Sequence, residues 1–359
     1  MKNRIKLTLL IFSLSLVYCS RSSTPDDPDQ VTQNSVKQQR FFSDESFWNQ
    51  PISANPEIDE RSDKWIKMLE QEPTGENFGL TFNKWTIPIY EANENTKLLE
   101  VRHHYLKESE KDIWVTVKDR DRFGHGPDFS PVPVPEGAKP DPEEDAHFCV
   151  VDWNRMLAWD MWGLRQLEDG SWESNTGMMY RLDGDGVFDA FELGFVDGES
   201  AHFHGPSRAA GVPVIAGLVL YDEVMKGEIR HKLSFASRYT GYREYCYPAS
   251  WTDGGVEGGI PEGAVMQIDP ELDLTPFMLT PEETIIAKAL QKYGMVLVDA
   301  AHGQPIFVEG LWGKPDKSWD EKLREWDGGM TDIPYKHYRV LKVNNPVYKG
   351  DKRKKVNAP

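Results

Sequence analysis

The densest set of residues able to move protons lies between positions 200 and 255. His202 and His204 alternate, so on a strand both imidazoles would share one face. Arg208 follows, then His231, Arg238, Tyr239, Tyr242, Arg243, Tyr245 and Tyr247, and the stretch closes on Trp251-Thr252-Asp253. Such a mixture suits abstraction of a proton next to a carboxylate. An Arg or protonated His neutralises the carboxylate and acidifies the neighbouring C–H; one His or Tyr removes the proton, and a second protonates the leaving oxygen. On this reading His204, His231, Tyr239 and Tyr242 move protons while Arg208 clamps the carboxylate. Arg243, Arg238, His202, His147 and Trp153 are the expected substrate contacts. The competing view is plain: a Tyr/Arg ladder is an ordinary strand surface, and His is a routine buried hydrogen-bonding residue.

Other motifs narrow the chemistry. His-x-His occurs in metal sites, and His147 or His302 could complete a set, but no third ligand is fixed by spacing, so no metal or other cofactor is expected. Asp183-Gly184-Asp185-Gly186 fails as a calcium loop, because the fifth and sixth positions are Val187 and Phe188; it reads as a turn. The glycine pairs at 254–255 and 258–259 carry neither P-loop nor dinucleotide spacing, and no Gly-x-Ser-x-Gly elbow occurs. Paired carboxylates offer a different route, glycosidic hydrolysis, with Asp253 and Glu257 or Glu192 as candidates. Trp153, Trp159, Trp162 and Trp172 could stack on pyranose faces or simply fill the core.

Elements must hold these groups. An irregular apolar face predicts a helix at about 58–70. A second helix is predicted over 281–293: Thr280-Pro281-Glu282-Glu283 is a capping box, Ile285, Ile286, Ala289 and Leu290 form a stripe, and Gly294 terminates it. Strands are expected at Trp85–Tyr90, Ile113–Val117, His147–Asp152, Val214–Leu220, Lys232–Arg238, Val265–Ile268 and Met295–Val298. The prolines between 131 and 140 make an extended connector. With 24 Pro and 29 Gly and no internal repeat, a single mainly β domain is predicted, sandwich or jelly-roll-like, with a few helices.

The 359 residues carry 41 Lys plus Arg against 58 Asp plus Glu, a net charge of −17. That excess opposes general nucleic-acid binding. Hydrophobic residues at 39% supply enough material for a core. The N-terminus reads as an address: Lys2, Arg4 and Lys6, then an 11-residue apolar h-region from Leu7 to Val17, too short to span a bilayer. Leu16-Val17-Tyr18-Cys19 resembles a bacterial lipobox, with Tyr18 where a small residue is usual, and implies that Cys19 carries lipid. The expected layout is a signal peptide at 1–18, a disordered tether at 19–40, one domain at 41–345 and a basic tail at 346–359. Attachment to a membrane is thus expected only through lipid, at the periplasmic or outer surface of a bacterial outer membrane. Cys149 and Cys246 could pair there.

Several stretches resemble a family as a group: Phe47-Trp48-Asn49-Gln50-Pro51-Ile52, the Pro-rich run at 133–140, His147 to Asp152, Arg208 to Leu218, Thr252-Asp253-Gly254 and Tyr293 to Asp299. Together they resemble exported microbial carbohydrate-active proteins over roughly residues 45–310. With the leader and acidic tether, the chain is similar to oligosaccharide dehydratases or lyases used on uronate-containing algal polysaccharides such as ulvan. The resemblance implies an oligo- or polysaccharide substrate and an elimination reaction, and it assigns no residue roles. A dehydratase would expel water and a polysaccharide lyase the glycosidic oxygen, after the same C5-proton abstraction. A glycoside hydrolase and a non-catalytic glycan-binding lipoprotein are the other two expectations.

Overall fold

Local signals are realised where they are strongest. Thr280 Oγ1 accepts from the Glu283 backbone N–H at 3.1 Å, and Glu283 Oε2 accepts from the Thr280 N–H at 3.0 Å. This closes the capping box of a helix at Pro281–Lys292, and Gly294 ends it at a φ of 72°. Glu283 does more than cap: it is fully buried and also accepts from the Arg324 backbone N–H at 2.9 Å and side-chain Nε at 3.0 Å. Replacing Thr280 by Ala should cost about 1 kcal/mol, read as a lower urea midpoint with an unchanged slope. Among the described residues the other two α-helices are Ser62–Leu69, inside the predicted 58–70, and a short Tyr221–Lys226.

The computed structural model describes residues 39–73, 77–104, 124–190, 192–196, 199–200 and 204–348. The leader, Cys19, nearly all of the tether, the strand expected at Ile113–Val117, His202 and the basic tail past 348 lie outside the described residues. The chain from Gln39 onward forms one compact unit. Among the described residues no helix is long and apolar enough to cross a membrane.

The mainly β expectation is borne out: strands in several sheets dominate and 14% of the chain is helical. The larger sheet has six strands in the order Gly79–Thr81, Pro305–Phe307, Leu233–Ser237, Met295–Ala300, Val265–Ile268 and Tyr338–Val340. A second sheet orders Thr176–Arg181, Leu157–Trp162, Phe148–Asp152, Ile87–Glu91 and Glu309–Gly310. Parallel pairs occur in both, among them Leu233–Ser237 with Met295–Ala300 and Ile87–Glu91 with Phe148–Asp152.

Alternation explains the apolar run Met295–Val298. Met295 and Leu297 enter a core shared with Trp65, Leu69, Ile286 and Leu290 of the helices, whereas Val296 and Val298 enter a second core with Ile87, Ile89, Cys149 and Val151. Both faces of the strand are buried, so both must be apolar. Phe148 and Val150, one step out of phase with Cys149 and Val151, face a third core with Trp159 and Trp172. Trp159 and Trp172 are therefore core residues. Cys149 and Cys246 are both buried, unpaired and in different cores, which decides against the pairing that the sequence leaves open.

One element was misread. Val214–Leu220 is not a strand but a buried series of turns, joined to the sheets by an isolated bridge between Val219 and Val308. Ala216 N–H bonds to Pro213 O at 3.0 Å, and Gly217 sits at a φ of 74°. A Cβ on Gly217 would lie 2.6 Å from the Leu233 carbonyl carbon, so the backbones approach as closely as Gly permits. Every residue from Val212 to Val219 is buried, and total burial erases the alternation that separates strand from turn.

Candidate active site

At the carboxyl end of the strand Met295–Ala300 four segments are tied together by backbone hydrogen bonds. Ala210 N–H donates to Val298 O at 3.1 Å, and the Ser250 and Trp251 N–H groups donate to Ala210 O at 2.8 and 3.2 Å. Gly263 N–H donates to Leu297 O at 2.8 Å. Arg208, Asp253, Glu262 and Asp299 are carried by these segments and meet as a result.

Arg208 is 2% exposed, lies with its guanidinium 3.4 Å from the Phe307 ring centroid, and pairs with Asp299 at 3.5 Å. Its Nε and Nη2 donate to no group. Burial opposes its charge, offset by the charges of Asp299, Asp145 and Asp160, and the net effect is a lowered pKa. Glu262 is fully buried, with the Thr252 and Asp253 side chains as its hydrogen-bonding neighbours. Burial and the charge of neighbouring Asp253 push its carboxyl well above the usual range. Asp299 is pushed up as well, by burial and by Asp253, with Arg208 acting against both. Exposure falls stepwise through the group: Asp253 faces solvent, the Asp299 side chain is 22% exposed, and Glu262 is closed off. An acid whose pKa burial raises, and which solvent can reach, therefore stands beside solvent-facing Asp253, with a second raised acid closed off from solvent. Pairs of carboxyls with separated environments can divide the roles of acid and base.

Two further acidic residues flank Arg208, Asp160 on a strand of the second sheet and Asp145 in the turn before Phe148–Asp152. Asp145 Oδ1 accepts from Trp162 Nε1 at 3.0 Å. Asp160 accepts from Val214 N–H at 2.6 Å and from the Tyr180 hydroxyl at 2.8 Å. Burial outweighs these bonds and raises Asp160 to about 6. The native state thus holds a proton that the unfolded chain releases near pH 4, so this contribution to stability is full below about 4 and is lost as pH rises through about 6. Asp160→Asn should remove that step, seen as a flatter thermal midpoint between those pH values.

His147 is buried, its Nδ1 lacks a partner, and burial with the charge of Arg208 keeps it neutral. Of the sequence-predicted residues, then, Arg208 and His147 adjoin this centre. The expected role of Arg208 changes, because Asp299 of the chain itself already pairs with it.

The other predicted residues have separate surroundings. His231 bonds Glu223 Oε2 and Lys232 O, each at 2.7 Å, beside a cavity of about 10 Å³, room for one water. Burial disfavours its charge, yet the Glu223 carboxylate raises its pKa. Tyr239 lies near Glu72 and Arg238, and Arg238 Nε pairs with Glu72 at 3.3 Å. Tyr242 is 47% exposed, with the Arg243 guanidinium over its ring, and Arg243 is itself exposed at a φ of 61°. Trp153 stacks on Phe41 at 5.4 Å. His204 Nε2 bonds Glu192 O at 2.6 Å and lies toward His125. His204, His231, Tyr239 and Tyr242 therefore do not form one quartet, and the single-pocket assignment is corrected. These types cluster in sequence because neighbouring strands present them, each to a different neighbour.

Among the hydrolytic candidates Asp253 is retained. Glu257 is exposed, and Glu192 is exposed with its carboxylate accepting from the Asp189 N–H. Glu262 and Asp299 were missed. Glu262 had a usable signal, a charged residue inside the apolar stretch Ile260-Pro261-Glu262-Gly263-Ala264, which burial would leave needing a partner.

Histidines converge at a second place. His103 and His125 have ring centroids 5.5 Å apart, and His125 Nε2 bonds Ser174 Oγ at 2.8 Å. Burial, with the charges of His103 and His204, lowers His125 to about 4, so it is neutral at ordinary pH. Among the described residues no group of three or more His, Cys, Asp or Glu side chains is arranged to hold a metal ion. The chain matches no family model, no curated protein and no solved structure.

Proposed function

We propose that this chain is an exported glycan-cleaving enzyme in which Asp299 is the general acid and Asp253 the general base or nucleophile. One observation carries the reading: the Asp299 carboxyl, partly exposed and paired with buried Arg208, has a pKa raised by burial and by solvent-facing Asp253 beside it. Asp299 would protonate the departing glycosidic oxygen while Asp253 activates water or attacks the anomeric carbon. Glu262 adjoins both without reaching solvent, and Arg208 orients Asp299 from behind. The glycan class of the substrate rests on the family resemblance.

A second reading, elimination from a uronate, rests on the gathering of His125, His103 and His204, where the neutral His125 is an available proton acceptor, though a weak one. The test is incubation with neutral, amino-sugar and uronate oligosaccharides, following reducing ends and the ultraviolet absorbance of a C4–C5 double bond. New reducing ends without absorbance are expected. Absorbance growing with product favours elimination, and binding with no cleavage of any oligosaccharide overturns both in favour of a glycan-binding protein.

A further inference from the structure

We propose that residues 40–51 form a strap that opens and closes on the domain, with Lys232 as its catch and proton uptake as its release. The strap is tied to itself: Asn49 Nδ2 donates to the Phe41 and Ser43 carbonyls at 2.9 and 2.8 Å, and Arg40 donates to Asn49 O at 3.2 Å. It meets the domain along two lines. At the turn after Arg181 the Phe42 and Ser43 N–H groups donate to Leu182 O and Gly184 O at 2.7 and 2.8 Å, and Trp48 Nε1 donates to Gly186 O at 3.0 Å. On the other side the Lys232 N–H donates to Trp48 O at 2.7 Å, while Lys232 Nζ donates to Phe47 O at 2.9 Å and Gln50 O at 2.5 Å. A cavity of about 10 Å³ lies between Arg40, Trp48 and Asn49 of the strap and Gly217, Glu223 and His231 of the domain.

The catch is a buried cation held by neutral groups. Lys232 is 5% exposed, and its ammonium is gripped by two strap carbonyls and the Phe47 ring, 4.5 Å away. Such a charge is kept against its own solvation. The charged groups on the elements around it are Arg40 paired with Asp44, the His231–Glu223 and Lys292–Glu228 pairs, Arg230, Asp185 and, beside the Phe47 ring, Tyr247. None pairs with Lys232, and burial alone pushes its pKa down to about 8. With the strap open, Lys232 is hydrated and titrates near 10.4. Opening therefore takes up a proton between about pH 8 and about pH 10.4, so closure is weakest near neutral pH and tightens as pH rises through that window. His231 and Glu223 both belong to the domain, so opening leaves their pair in place. Phe42 and Trp48 share a core with Val296, Val298 and Phe307, the ring on which Arg208 lies. The strap thus links proton uptake to the packing beneath the candidate site.

The experiment is chymotryptic cleavage of the full chain after Phe47 and Trp48, at about pH 7 and about pH 9.5, each rate divided by that of a free peptide of residues 40–52. The expected result is cleavage of the folded protein at both sites, with the relative rate falling about tenfold or more from the lower to the higher pH. Lys232→Met keeps the buried stem and removes the charge. It should be cut near neutral pH about as slowly as the wild type is in alkali, with the pH dependence gone. Equal relative rates in the wild type at both pH values overturn the proposal, as does a rise toward alkaline pH or a Lys232→Met chain that keeps the wild-type profile. Protection of both sites until the whole domain unfolds in urea overturns the strap itself. If Lys232→Met does not fold, the wild-type profile decides alone.

Discussion

Replacing Asp299 by Asn lowers turnover by about 10²-fold or more, and Asp253→Asn does the same, while both variants keep the wild-type circular dichroism and melting cooperativity. Each substitution preserves shape and removes the ability to exchange a proton. Asp299 carries the larger expectation, because burial and neighbouring Asp253 raise its pKa and favour the form that can donate a proton. Glu262→Gln behaves differently. Glu262 is sealed from solvent, so its substitution should act through Asp253 and Asp299 and move the limbs of the pH–rate profile more than it lowers the maximum. Turnover within a few-fold of wild type in both Asp variants would remove the proposed chemistry. As controls, Tyr242→Phe and His231→Ala should leave turnover nearly unchanged, because Tyr242 stands in solvent and His231 is bonded to Glu223 and Lys232.

The largest stability effect is expected at Arg208. Arg208→Met keeps much of the contact with Phe307 and removes the positive charge facing Asp299, Asp145 and Asp160. Breaking a buried pair from one side costs about 3–5 kcal/mol, since the remaining charge is left uncompensated. Asp299 can relieve part of this by holding its proton, so the loss should be smaller in acid and grow with pH. The direction follows from linkage. Without Arg208 the native carboxyls hold protons to higher pH than the unfolded chain does, and stability falls as pH rises through their native pKa values. Urea denaturation at about pH 5 and about pH 8 measures both the size and the slope. A loss independent of pH would mean that Arg208 contributes packing alone.

Arg208 also shows how chemistry can be legible while its role is not. The residue stands out in sequence as the cation among candidate proton-transfer groups, and it does adjoin a reactive constellation. Its partner is nevertheless Asp299, at the end of a strand that sequence reading treats as scaffold. The neighbouring Tyr and Arg residues illustrate the opposite error. Tyr239, Tyr242, Arg238 and Arg243 are adjacent along the chain, yet Tyr242 and Arg243 face solvent while Arg238 is engaged by Glu72. Density of useful side chains in a sequence window measures composition. Convergence is a separate property.

The features determined by the sequence alone are those whose partners lie a few residues away. The Thr280–Glu283 capping box, the glycine that ends that helix, and the Asp-Gly turn after Arg181 need only local geometry, so residue type and spacing suffice. The mainly β character follows likewise from apolar alternation between turn residues. Tertiary structure decided the rest: that Val214–Leu220 turns through the core instead of pairing, and that Asp253, Glu262 and Asp299 gather about Arg208. The physical reason is common to both. Total burial removes the polar half of an alternating pattern. A carboxyl's protonation is set by the solvent it loses and the charges it gains, and those neighbours come from distant segments that only chain closure brings together.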